Sequence, residues 1–172
     1  MKIWIGPAAL ALLAGAAGWH GGLTLSTYGL MEGAIRRLAD GTGMNVMKYN
    51  QLPTPANQPV VRPSPDLAYS SCPYDLSDGP VMLRVVPVPG RYSSLSIFNA
   101  RTDVVFVRND QQAKDKPFEV VIARDGQKVP AGKEVVRVGY DRGIALIRLL
   151  LNSPSDLKAL DPVRRQSSCH RL

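Results

Sequence analysis

Hydrophobic and polar positions divide the chain into three stretches with different rhythms. From Ile3 to Met31 no polar face recurs: Ile, Trp, Leu, Ala and Gly dominate, and Lys2 is the only formal charge before Glu32. A cation followed by such a run matches an export signal, and about 20 apolar residues suffice to cross a bilayer as a helix. Two readings stay open. Ala14-Gly15-Ala16 satisfies the small-residue rule for cleavage near Ala16, which would release the rest of the chain. Apolar character that continues through Trp19, Leu23, Leu25, Tyr28 and Leu30 favours instead a retained transmembrane anchor over residues 1–31, with Trp19 and Tyr28 suited to a membrane interface.

The second stretch, residues 32–65, is a juxtamembrane helix followed by a connector. Glu32 to Ala39 carries a helical period with Ile35 and Leu38 on one face, and Gly41 and Gly43 supply the stop. Pro53, Pro55, Pro59, Pro63 and Pro65 then hold the chain extended, because each fixes its own φ and pushes its predecessor away from helical geometry.

From residue 66 to 172 the period is that of short strands between turn signals. Val81 to Val86, the turn Pro87-Val88-Pro89-Gly90 and Arg91 to Phe98 read as a hairpin. Val104 to Val107 follows a turn over Asn99 to Asp103. Phe118 to Ala123 and Glu134 to Tyr140 flank Asp125-Gly126, a hairpin signal. The unbroken run Ile144 to Leu151 predicts a strand buried on both faces or a buried helix. Asn152-Ser153-Pro154 starts a short C-terminal helix, expected to be interrupted at Pro162. The fold class is therefore mainly β: a transmembrane or signal helix, then a small antiparallel β-sandwich or partial barrel with a short C-terminal helix.

Charge and composition narrow the function. The net charge of +7 attracts polyanions, but the cations are scattered and lack the interleaved aromatics of a stacking platform, so no nucleic-acid partner is expected. For an exported domain the counter-charges to expect are lipid headgroups or acidic envelope polymers; the alternative is that the cations are an ordinary solvated surface. His20 and His170 are the only histidines and no metal-ligand spacing occurs, so no metal is expected. No Gly-x-Ser-x-Gly elbow, phosphate loop or dinucleotide fingerprint is present, which leaves no expected cofactor and weighs against an enzyme.

Cys72 and Cys169, the two cysteines, sit among polar and turn-forming residues, as exposed bridging cysteines do. A disulfide between them would close a loop of about 100 residues, for which chain-entropy theory assigns roughly 4 to 5 kcal/mol. Two unrelated free thiols are the alternative. Cations flank the apolar segment on both sides, so charge leaves its orientation open. A bridge needs an oxidising compartment. Together these predict a single-pass inner-membrane protein with its C-terminal domain in the periplasm, or a periplasmic protein if the segment is cleaved.

The stretch from Arg62 to Pro80, with Arg91-Tyr92-Ser93-Ser94-Leu95-Ser96 and Thr102-Asp103-Val104, resembles the domain-of-unknown-function family numbered 1254. Asp66, Tyr69, Ser70, Asp75, Leu76, Gly79, Pro80, Arg91 and Tyr92 fall on that family's pattern, while Ser64 and Leu67 replace its Asn and Thr. The likeness is to the short, membrane-anchored bacterial form. It implies a mostly β domain outside the cytoplasm, a cysteine in each of the two places found here, and a possible separate companion protein of the family numbered 1214. It implies no reaction.

Asp66, Tyr69, Asp75 and Arg91 are the ligand-binding candidates. Paired carboxylates divide acid and base roles when their surroundings push their pKa values apart. The alternative is structural: the aspartates cap turns, Arg91 pairs with one of them, and tyrosine hydroxyls reach backbone acceptors. The expected function is a non-catalytic envelope binding or assembly module, with a small-ligand binder or hydrolase-like enzyme as the other reading.

Overall fold

The computed structural model describes residues 4–54 and 63–172. Arg62, Pro55 and Pro59 of the expected connector lie outside the described residues. Pro53, Pro63 and Pro65 lie in neither helix nor strand, as their fixed backbone requires.

The apolar stretch and the juxtamembrane helix are one element, α1 (Ile5–Ala39). Its first part is uncovered on every side: Leu10, Leu12, Leu13, Trp19, Leu23, Leu25 and Leu30 are all exposed, Leu12 by 76%. The hydroxyls of Thr24, Ser26 and Thr27 donate back to carbonyls three or four residues earlier, so these side chains need no solvent partner. The last turns behave oppositely. Met31, Ile35 and Leu38 are buried against Ile144, Phe98 and Leu146. Gly41 and Gly43, both at positive φ, end the helix and turn the chain toward the sheet.

Among the described residues, nine strands form two sheets. The larger has the order β1 (Lys48–Tyr49), β2 (Leu67–Asp75), β8 (Arg142–Leu150), β4 (Ser93–Phe98), β5 (Val104–Asn109). The smaller runs β7 (Glu134–Val138), β6 (Phe118–Arg124), β3 (Val81–Val85), β9 (Ser168–Arg171). A four-residue helix α2 (Asp110–Ala113) follows β5, and α3 (Asp156–Arg164) precedes β9. The arrangement is the mainly β, sandwich-like one expected. Inward residues of both sheets meet in one core, with Cys72, Tyr74, Leu95, Ile97 and Ile147 on one side and Leu83, Val85, Val120, Ile122 and Val136 on the other.

β8 resolves the two readings of the Ile144 run: it is the central strand, paired with β2 and β4, and its outward residues Ile144 and Leu146 meet α1. The expected β3–β4 hairpin is absent. β3 pairs with β6 and β9, whereas β4 pairs with β8 and β5, so residues 86–92 cross from one sheet to the other. Pro87 and Pro89 lack the donors a tight hairpin would use, and Val88 is buried in a side cluster with Leu149 and Leu151. Asp125-Gly126 does form a turn, with Gly126 at φ 82°, yet β7 runs parallel to β6. Residues 125–133 pass over the back of the sheet, where Val129 covers Met82, Val121 and Ala123 before a second turn at Gly132 reverses the chain. α3 runs through Pro162 instead of being interrupted.

Cys72 and Cys169 form the disulfide, closing a loop of 97 residues. It joins β2 to β9, and so one sheet to the other. Both cysteines are buried in the core, contrary to the exposed setting expected from their neighbours. Their polar flanks are themselves covered: Ser70, Ser71 and Ser167 are buried. Pro73 fits the middle of β2 because its carbonyl accepts from Asn45 on the β1 side. In an extended strand N–H and C=O of one residue point the same way, and β1 is too short to need the missing donor. Opposite Tyr74 lies Gly143, where a β-carbon would overlap the Phe98 carbonyl oxygen and the Tyr74 hydroxyl. The Tyr74 ring occupies that space and its hydroxyl donates to the Phe98 carbonyl at 2.8 Å.

Candidate functional site

The four candidates are distributed along the larger sheet. Asp66 is exposed in the turn before β2, and its carbonyl accepts from the Leu151 amide. Tyr69 is half-buried on β2, and its hydroxyl accepts from the Ser64 amide at 2.9 Å. Arg91 pairs with Asp156 at the start of α3, at 3.3 Å. Asp75, at the other end of β2, pairs with Arg142 at 2.8 Å. No hydrogen bond or ion pair among the described residues links any two of the four candidate side chains. Arg91 therefore pairs with an aspartate, but with neither of the two foreseen.

Asp75 alone of the four lines a surface cavity next to α1. That cavity, of about 480 Å³, lies where α1 meets the sandwich. α1 contributes Tyr28, Met31, Glu32 and Ile35; the turn into β8 contributes Tyr140 and Asp141. Charges here are chained. Arg142 lies between Asp75 and, at 3.7 Å, Glu32, which also accepts from Arg36 at 2.9 Å; Asp141 takes Arg124 at 2.8 Å. Asn45 fixes the backbone of Asp75 by accepting from its amide and donating to its carbonyl.

Burial works against ionising Asp75, but hydrogen bonds from the Ser77 hydroxyl and amide and from Arg142 outweigh it and hold the carboxyl below its ordinary value. Such a group is charged at neutral pH and carries no proton to give. It suits an ion-pair anchor better than a general acid. The rings of Tyr28 and Tyr140 meet edge to face at 5.7 Å. Hydrogen bonds from Tyr28 and Arg101 lower the pKa of the Tyr140 hydroxyl. Among the described residues no three His, Cys, Asp or Glu side chains stand close enough to share a metal ion.

Another cavity, of about 470 Å³, lies between α3 and the chain at 49–51. Buried Arg164 organises it, donating to the carbonyls of Asn50 and Tyr69 and pairing with Asp161. Arg164 and Arg165 both approach the Tyr49 ring. These arginines tie α3 to β1 and β2.

Sequence reasoning found Asp75 but missed Glu32, Tyr140 and Arg142. The signal available was weak: a Tyr-Asp-Arg turn before a long apolar strand, and an acid one turn before Ile35 in the juxtamembrane helix.

Two solved structures share the fold. The VPA0106 protein from Vibrio parahaemolyticus superposes with a TM-score of 0.62 at 18% identity, over 86% of this chain and 36% of its own. An uncharacterised protein from Burkholderia cenocepacia gives 0.51 at 16%, over 89% of this chain and 41% of its own. This chain thus spans well under half the length of either. No curated protein matches it. Residues 44–171 match the family described as protein of unknown function DUF1254, and the chain belongs to that family.

Proposed function

We propose that this protein is a single-pass cell-envelope module: α1 is retained in the inner membrane, and the disulfide-bridged sandwich works in the periplasm as a non-catalytic binding or assembly domain. One observation carries the reading. The exposed apolar part of α1 continues without a break into the part that packs on the sandwich, so anchor and domain share a helix. Cleavage near Ala16 would leave Trp19, Leu23, Leu25 and Leu30 exposed to water on the released protein. A bilayer covers them. The Cys72–Cys169 bridge supports an oxidising side for the domain.

The scatter of Asp66, Tyr69, Asp75 and Arg91, with Asp75 held ionised, supports binding over catalysis. As a partner, a companion protein of the family numbered 1214 is the first to try.

The test is alkaline carbonate extraction of membranes, followed by protease treatment of spheroplasts. The protein is expected to stay in the membrane pellet at its full length and to lose its domain to protease added from outside. Release into the carbonate supernatant as a shortened chain, or protection of the domain until the inner membrane is broken, would overturn the proposal.

A further inference from the structure

The back of the five-stranded sheet changes character along its strands. Near the start of β8 the outward residues Ile144 and Leu146 lie with Phe98 under α1. Outward positions recur every second residue, so the next one along β8 is Arg148, which is half-buried. Register sets the row around it: Tyr69 of β2 lies opposite Arg148 on one side and Ser94 of β4 on the other.

Each group in this row offers a proton and lacks an acceptor. Arg148 makes one hydrogen bond, from Nη2 to Ser96 Oγ at 2.6 Å, and no ion pair among the described residues. Its Nε and the Ser94 Oγ are buried and have no hydrogen-bond partner among the described residues. The Tyr69 hydroxyl accepts from the Ser64 amide and the Ser96 hydroxyl from Arg148, so the protons of these two hydroxyls find no acceptor there either. An arginine that only joined strands would close its fork on acceptors, as Arg164 does on two carbonyls and Asp161. Arg148 and three hydroxyls instead share one patch without a counter-charge, and an anion is what offsets the cost of holding that cation half out of water.

Charge and surroundings define the anion. One unpaired arginine matches one negative charge, whereas a doubly charged phosphate would bring a second that nothing in the row balances. The planar guanidinium fork suits a carboxylate. Beyond Ser96, on the same face, Val107 and Val104 of β5 are each 53% exposed, so an apolar strip starts next to the charged group.

We propose that this row binds a small organic monocarboxylate, its carboxylate on the Arg148 guanidinium and the Tyr69 and Ser94 hydroxyls and its apolar chain running over Ser96 toward Val107. Ser94 Oγ and Arg148 Nε lie below the surface, so entry follows a rotamer change of Arg148, an event of about nanoseconds for a side chain that is partly exposed. The assignment rests on the domain being a binding module and is independent of where α1 resides.

The full chain, purified in mild detergent, is titrated with sodium hexanoate, sodium acetate or inorganic phosphate by isothermal calorimetry. Hexanoate is expected to saturate one site per chain, at least about tenfold more tightly than acetate, since burying two methylenes supplies that factor, and at least about tenfold more tightly than phosphate. Arg148→Gln should weaken hexanoate at least about tenfold through the lost charge-assisted bond, and Tyr69→Phe about threefold through a neutral one. Arg84→Gln, on the four-stranded sheet, should leave it unchanged. Thermal melts establish that each variant folds, and Tyr69→Phe decides if Arg148→Gln does not. No saturable hexanoate binding, acetate or phosphate within tenfold of it, or a smaller loss in either folded variant overturns the assignment. Carbonate extraction and protease treatment read the anchored placement separately: a chain that passes both without binding hexanoate sinks only this site.

Discussion

The two sheets bury their inner faces against each other but differ in what covers their backs. The four-stranded sheet is covered by its own chain: Val129 lies over Met82, Val121 and Ala123, and beyond them Arg84, Glu119 and Lys133 form exposed ion pairs. The five-stranded sheet borrows its cover. Ile144, Leu146 and Phe98 on its back are closed by Met31, Ile35 and Leu38 of α1. One sheet is thus finished by local sequence, the other by the same helix that begins as the exposed apolar segment, and Ile35 at 3% exposure is as much a core residue as Val136 at 8%. The apolar helix is part of the fold as well as an address.

The strongest way to break this contrast is Gly143→Ala. At the centre of the five-stranded sheet the added carbon collides with backbone and with the Tyr74 ring that fills the glycine's space, so neither can yield cheaply. A loss above about 4 kcal/mol is expected, enough to abolish a cooperative thermal transition. A variant that melts like wild type would show that Tyr74 does not hold this strand pair.

Severing the tie between the sheets comes next. Cys72→Ala and Cys169→Ala should each cost about 2–4 kcal/mol in urea unfolding without reductant, with the double variant no worse than either. Additive losses would mean that two separate cavities, and no shared bridge, set the cost.

The smallest effect sharpens the role of α1. Asp75→Asn removes the carboxylate that holds Arg142 near Glu32 and should cost about 2 kcal/mol at neutral pH. Because folding lowers the Asp75 pKa, its contribution is complete above the ordinary carboxylate value near 4 and disappears as pH falls through the lower folded value. The stability gap between wild type and Asp75→Asn should therefore close below about pH 4. A gap that persists in acid would assign the loss to packing instead of charge.

What could be read from sequence follows the same division. The apolar helix, the strands β3 to β8 and α3 were legible because period and punctuation are local. Sheet membership was not: Val81 to Val85 and Ser93 to Phe98 both alternate, and nothing in either says that Pro87 and Pro89 carry the chain between sheets. β9 was hidden by its polar residues Ser168, His170 and Arg171, and β1 by its length of two. β2 was obscured because Ser70, Ser71 and Pro73 look like loop residues until α1 and the second sheet bury them. Of the cavity, Asp75 was legible from its turn, but its partners Arg142 and Glu32 lie 67 and 43 positions away and meet it only through β8 and α1.

On the proposed anchoring, the unbroken run of α1 from its exposed apolar part into the β core has a mechanical consequence. With no hinge between Leu23 and Leu38, the sandwich cannot swivel freely on its anchor, and its height above the bilayer and its heading are set by the tilt and spin of one rod. A second membrane-held protein would then meet it by drifting sideways in the same plane, a two-dimensional search in which half of the orientational problem is solved before contact.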